Sequence, residues 1–81
     1  MRSGETIIEK NLYNEDVEIN EVVIYPQLNS QQTMYWKVEG LFGSYRFTLC
    51  LTTDKSEAEK RFAAVNERLM EVHEADLRSR Y

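Results

Sequence analysis

One histidine, His73, and one cysteine, Cys50, are present in the chain, so the side chains that most often carry catalysis come as single copies. A nucleophile activated by an imidazole would have to use His73. The strand pattern places Cys50 on the side of a sheet away from the helix that carries His73, which argues against a Cys–His pair. His73 and Asp76 stand three apart with Glu71 close by, but no second histidine and no His-Glu-x-x-His spacing completes a metal centre. His73 reads instead as a rim residue near a helix C-terminus. Glu67, Glu71 and Glu74 recur at helical spacings of four and three. With nothing apolar around them to raise a carboxyl pKa, they form a solvated strip rather than an acid–base pair. Gly4, Gly40 and Gly43 make no phosphate-cradling loop. The lone Cys50 can form neither an internal disulfide nor a four-cysteine metal site, and reads as a small inert residue. No catalytic, metal-binding or cofactor-binding residue is expected, and the chain reads as non-enzymatic.

Charge narrows the partners. The 81 residues carry ten Lys plus Arg against fourteen Asp plus Glu, a net charge of −4. The excess is uneven: residues 1–25 hold six acids and two bases, while residues 26–53 hold one acid and two bases. Neutralising phosphates takes clustered cations, and none are clustered here, so nucleic acid is a disfavoured partner. No apolar run nears the roughly 18 residues that span a bilayer, and the opening Met1–Lys10 stretch has no apolar signal core. A cytoplasmic protein with no membrane partner is the expectation. An acidic stretch most often keeps a small protein soluble; its sharper use is to dock on a basic protein surface through Glu15, Asp16, Glu18 and Glu21.

The elements that position these residues begin with a hairpin. Segments 33–42 and 45–52 flank Gly43-Ser44, a two-residue turn suited to a tight reversal. That register puts Phe42 opposite Tyr45, Gly40 opposite Phe47, Val38 opposite Leu49 and Trp36 opposite Leu51, all on one uncharged side. The other side receives Leu41 with Arg46, Glu39 with Thr48, Lys37 with Cys50 and Tyr35 with Thr52. Phe47 is expected to lay its ring over Gly40. A preceding strand over 17–25, rich in Val and Ile, is joined by the loop that Pro26 opens. Pairing it puts Val22 and Ile24 on the apolar side and Glu21 opposite Lys37, with a bulge near Asn20 or Glu21 needed to turn Ile19. Asp54 and Glu57 have the spacing of a helix N-terminus. Ala58, Phe62, Val65, Leu69 and Val72 then trace one helical stripe.

The sequence therefore predicts an α+β fold: a three-stranded antiparallel meander followed by one long C-terminal helix on one sheet side, a single β-β-β-α domain over 17–76. Residues 1–16 add an extra strand or short helix, and residues 77–81 fray. The second sheet side has no assigned cover. Residues 1–16, a partner or a second copy of the chain are its candidates. Tyr35, Leu41 and Arg46 on that side join the four acids as candidate protein contacts. Tyr35, Lys37 and Arg46 also keep open the alternative of nucleic acid stacked on the sheet. Ala63, Met70 and Leu77 recur every seven residues beside the main helix stripe and are the candidate self-association contacts of a homodimer or structural protein. Size, acidity and the lack of catalytic groups are shared with small accessory proteins, including virus-encoded inhibitors of host enzymes. The expectation is a small acidic protein-binding module, an inhibitor or modulator that occupies a partner's surface.

Overall fold

Gly43 adopts φ 61° at the first central position of the Gly43-Ser44 turn, the left-handed conformation that glycine takes without steric cost. In the computed structural model, which describes residues 5–79 and the side chains of residues 5–75, this turn joins β4 (Met34–Phe42) to β5 (Tyr45–Thr52). The sheet is completed by β3 (Glu21–Leu28) in the order β3-β4-β5, all antiparallel. Helix α1 (Lys55–Ser79) follows and packs across all three strands. Asp54 caps it: Ser56 N–H donates to Asp54 Oδ1 at 3.0 Å. The Asp54 N–H itself goes back to Thr52 Oγ1 rather than forward to Glu57. Ala58, Val65 and Leu69 are buried, with Phe62 and Val72 packed at the margin, which is the expected stripe. The helix continues through Ser79; Arg80 and Tyr81 lie outside the described residues.

Near the turn the register is the expected one, with Phe42–Tyr45, Leu41–Arg46, Gly40–Phe47 and Glu39–Thr48 paired. A bulge between Val38 and Glu39 then shifts the ladder, so Val38 pairs with Cys50, Lys37 with Leu51 and Trp36 with Thr52. Leu49 is the extra residue, and it stays in the core at 5% exposure. The expected placements of the last residues of β5 are therefore reversed. Cys50 packs against the core on the helix side, and Leu51 emerges 42% exposed on the other side. The helix-side position of Cys50 removes the sequence argument that the sheet separates it from His73.

The expected strand over 17–25 is two strands. β2 (Asp16–Ile19) and β3 meet at Asn20, whose N–H donates to the Leu41 carbonyl. The break turns Ile19 inward, as the required irregularity near Asn20 implied. Glu21 lies opposite Leu41 rather than Lys37, while Val22 and Ile24 take the apolar side as expected. Residues 1–16 supply β1 (Ile7–Lys10), which pairs with β2 in a separate two-stranded sheet. That small sheet does not lie over the open side of the main sheet. Its inner residues Ile7 and Ile19 join the core on the helix side. Its Glu9, 7% exposed, is held by Arg61 at 3.0 Å and by Arg68. The same guanidinium groups donate to the Lys10 and Ile8 carbonyls, so α1 grips the hairpin through side chain and backbone together.

Gly40 is where the two sheets touch. A Cβ built there would stand 2.6 Å from Ile19 Cγ2 and 2.9 Å from its Cδ1, so Ile19, fully buried, occupies the space that Phe47 was expected to fill. Phe47 stacks on Tyr45 instead, ring centroids 6.5 Å apart. Gly40→Ala should cost about 1–3 kcal/mol, the range of an overpacked core, read as a lower urea midpoint with an unchanged slope. The cost should shrink in an Ile19→Ala background; equal cost in both backgrounds would contradict the contact.

Candidate functional site

The sheet face away from α1 presents Glu21, Val23, Tyr25 and Gln27 from β3 beside Tyr35, Lys37, Glu39 and Leu41 from β4, by strand alternation and register. Arg46, Thr48 and Leu51 complete it from β5. At its centre is a buried charge. Glu39 is only 6% exposed although no element among the described residues covers this face. Tyr25 Oη donates to its Oε1 at 2.9 Å, Arg46 Nη2 donates to the same oxygen at 2.6 Å, and Lys37 Nζ lies 3.5 Å from Oε2.

Burial pushes the Glu39 carboxyl toward a higher pKa. The hydrogen bonds from Tyr25 and Arg46, with the charges of Arg46 and Lys37, outweigh it and hold the group below the usual glutamate range. Burial, then the bond to Glu39 and its negative charge, raise the Tyr25 phenol. The bond to Glu39 and its charge raise Arg46. At neutral pH the cluster therefore holds a carboxylate beside a neutral phenol and the Arg46 guanidinium cation. Cys50, on the other side, has its thiol pushed up by burial and by the charge of Glu57, which keeps it protonated and a weak nucleophile.

Beside this cluster lies a groove of about 430 Å³ along β5, within the size range of ligand clefts. The sheet contributes Lys37, Arg46, Phe47, Thr48 and Leu51; the β1–β2 loop contributes Asn11, Leu12, Tyr13 and Glu15. Leu12 N–H donates to the Thr48 carbonyl at 2.8 Å, which docks the loop on the outer edge of β5.

That loop is built twice in the chain. In residues 11–15 the Asn11 Oδ1 accepts from the N–H groups of Tyr13 and Glu15, Asn14 N–H donates to the Asn11 carbonyl, and Asn14 takes φ 63°. In residues 29–33, between β3 and β4, Asn29 Oδ1 accepts from Gln31 and Thr33, Gln32 N–H donates to the Asn29 carbonyl, and Gln32 takes φ 61°. The backbone requires an asparagine first and a left-handed residue fourth, and leaves the second and third positions open. One loop fills them with Ser30 and Gln31. The other fills them with Leu12 and Tyr13, 45% and 79% exposed, which the turn does not need.

The sequence-derived contacts do not form one patch. Glu15 lines the groove, with its carboxylate accepting from Asn11. Asp16 is paired with Lys10 at 2.8 Å, and Glu18 accepts from Thr6 on the outer face of β2. Glu21 is on the open face with Leu41 and Arg46, and Tyr35 lies farther along β4 opposite Gln27. Ala63 and Met70 are exposed on α1, with Asn66 against the Met70 sulfur; the side chain of Leu77 lies outside those described. Sequence reasoning missed Leu12 and Tyr13 as displayed residues. The signal that could have found them is the shared five-residue pattern of an asparagine opening each loop. Among the described residues no cluster of His, Cys, Asp and Glu is placed to hold a metal, and no helix is long and apolar enough to cross a membrane. No family model, curated protein or solved structure matches the chain.

Because Glu39 has its pKa lowered by folding, it contributes stability that is full above the unfolded glutamate value, about 4.3, and that is lost as pH falls through its lower folded value. Glu39→Gln should flatten this acid limb in urea unfolding measured between about pH 2.5 and pH 7. A variant whose stability falls on acidification as steeply as the wild type would show that Glu39 is not the group responsible.

Proposed function

We propose that the protein is a non-enzymatic binding module of the cytoplasm that works by occupying the surface of a partner protein, as an inhibitor or modulator does. The observation that supports this reading most is the pair Leu12 and Tyr13. They are displayed on a loop whose twin carries polar residues, at the mouth of a groove on the sheet face that α1 leaves uncovered. Exposed apolar side chains on a rigid loop make low-entropy contacts with another protein. The contact surface is then the groove with Leu51 and Arg46, bordered by Glu15 on the loop and by Leu41 and Glu21 on the sheet. Nucleic acid fits this face less well, because Lys37 and Arg46 are too few to neutralise a run of phosphates.

The twin loop supplies the control. Leu12→Ser with Tyr13→Gln installs the residues that the 29–33 loop already carries, so the fold should keep its stability to within about 0.5 kcal/mol. Affinity capture from lysate of the native source, with nuclease present, should recover one protein in near-stoichiometric amount with the wild type. The double variant and Leu51→Glu should recover at least tenfold less, with unchanged thermal melting. Recovery that depends on intact nucleic acid, or that is equal for all three chains, would sink the reading.

A further inference from the structure

The reading of this face as a protein contact leaves open what part of a partner it takes, and the inference below rests on that reading. Two features of the groove are unequal in what the fold requires of them. Its apolar wall, Leu12 and Leu51, continues the exposed apolar surface of the loop. Its polar wall is Arg46 and Lys37, both tied to Glu39. A nearly inaccessible carboxylate carries a desolvation cost, and an apolar residue of similar size often serves the fold as well. Here the strands it joins are already paired through their backbones. What Glu39 does achieve is to fix a guanidinium. Arg46 gives one Nη to Glu39, while its side chain is 60% exposed. Its remaining N–H groups form a fork suited to a second carboxylate.

We propose that the groove binds an extended segment of a partner protein in which an Asp or Glu stands next to an aromatic or branched aliphatic residue. The segment's carboxylate is received by Arg46, with Lys37 beside it, and its apolar neighbour lies between Leu12 and Leu51. Glu39 is a positioning residue that acts through Arg46. Glu15 is the acid on the groove's loop wall; it sets the polarity, because a partner's carboxylate is repelled from the loop side and directed to the sheet side. The chain's own net charge of −4 makes the choice selective. An acidic segment approaches against the general field and gains only where the pinned cations stand, so acidity without the apolar neighbour is not enough.

The test uses a display library of random 12-residue peptides selected on the immobilised full chain, followed by fluorescence polarisation with the enriched peptides. The expected result is enrichment of Asp or Glu within two residues of Phe, Tyr, Leu or Ile. Arg46→Met should weaken those peptides at least tenfold, Arg46→Lys should fall between, and replacing the peptide's acid by its amide should cost as much as Arg46→Met. In the Arg46→Met background Glu39→Gln should have no further effect on affinity, which a purely structural role for Glu39 would not give. Enriched peptides that are basic or uncharged, or acidic peptides that bind Arg46→Met as tightly as wild type, would overturn the proposal. If those same peptides still lose affinity with Leu51→Glu, the face remains a protein contact and only the anion-directed part fails. No enrichment at all would also overturn it, while the lysate capture decides the protein-binding reading by itself.

Discussion

Ile19 rests on the bare α-carbon of Gly40, and the chain must break at Asn20 to bring it there. A three-stranded sheet with one helix has a narrow core, and a strand running straight from 17 to 25 would leave Ile19 facing away from it. Breaking the strand brings Ile19 in and carries β2 out of the main ladder. β1 can then pair with β2 on the helix side rather than extend the sheet. Everything at the N-terminal end follows from this contact: Ile7 in the core, Glu9 within reach of α1, and the 11–15 loop against the edge of β5. A two-stranded ribbon of this length has little stability alone, so it depends on the surface that Gly40 opens to it.

Two buried carboxylates, Glu9 and Glu39, each gather two cations, and the two arrangements differ in what they connect. The partners of Glu9 are Arg61 and Arg68, seven residues apart on one helix, and both also donate to backbone carbonyls of the hairpin. That arrangement joins two elements that share no strand ladder, and it is architectural. The partners of Glu39 come from its own strand and from the adjacent one. They connect nothing that the sheet has not already connected. A costly group with a redundant structural role, placed under an exposed arginine, is what the proposed anion-receiving role of Arg46 calls for.

Much of this was legible in the residues. Gly43-Ser44 declared the turn, Asp54 the helix start, and the spacing from Ala58 to Val72 the buried stripe. The misfit of Ile19 pointed to the irregularity at Asn20. The bulge at Leu49 was not legible, because Leu49, Cys50 and Leu51 are three small or apolar residues in a row, and alternation cannot tell which of them is the extra one. Half of the site shares this history. Arg46 and Lys37 could be assigned to one face from the turn alone, whereas Leu51 joined them only through the bulge. The loop residues were hidden for a different reason: the 11–15 turn has no glycine, and its left-handed position is held by Asn14. The acidic segment misled because it is continuous in sequence but divided in space, with Asp16 neutralised by Lys10.

The duplicated loop has a consequence for how such a molecule changes over generations. Positions 12 and 13 are fixed in space by Asn11, by Asn14 and by the Thr48 carbonyl, and none of these anchors involves their own side chains. Mutational tolerance and surface identity are thereby uncoupled: the two residues that meet the outside first are among those the scaffold constrains least. A lineage carrying this fold can drift through many side-chain pairs at the loop tip while its hydrophobic interior stays as it is.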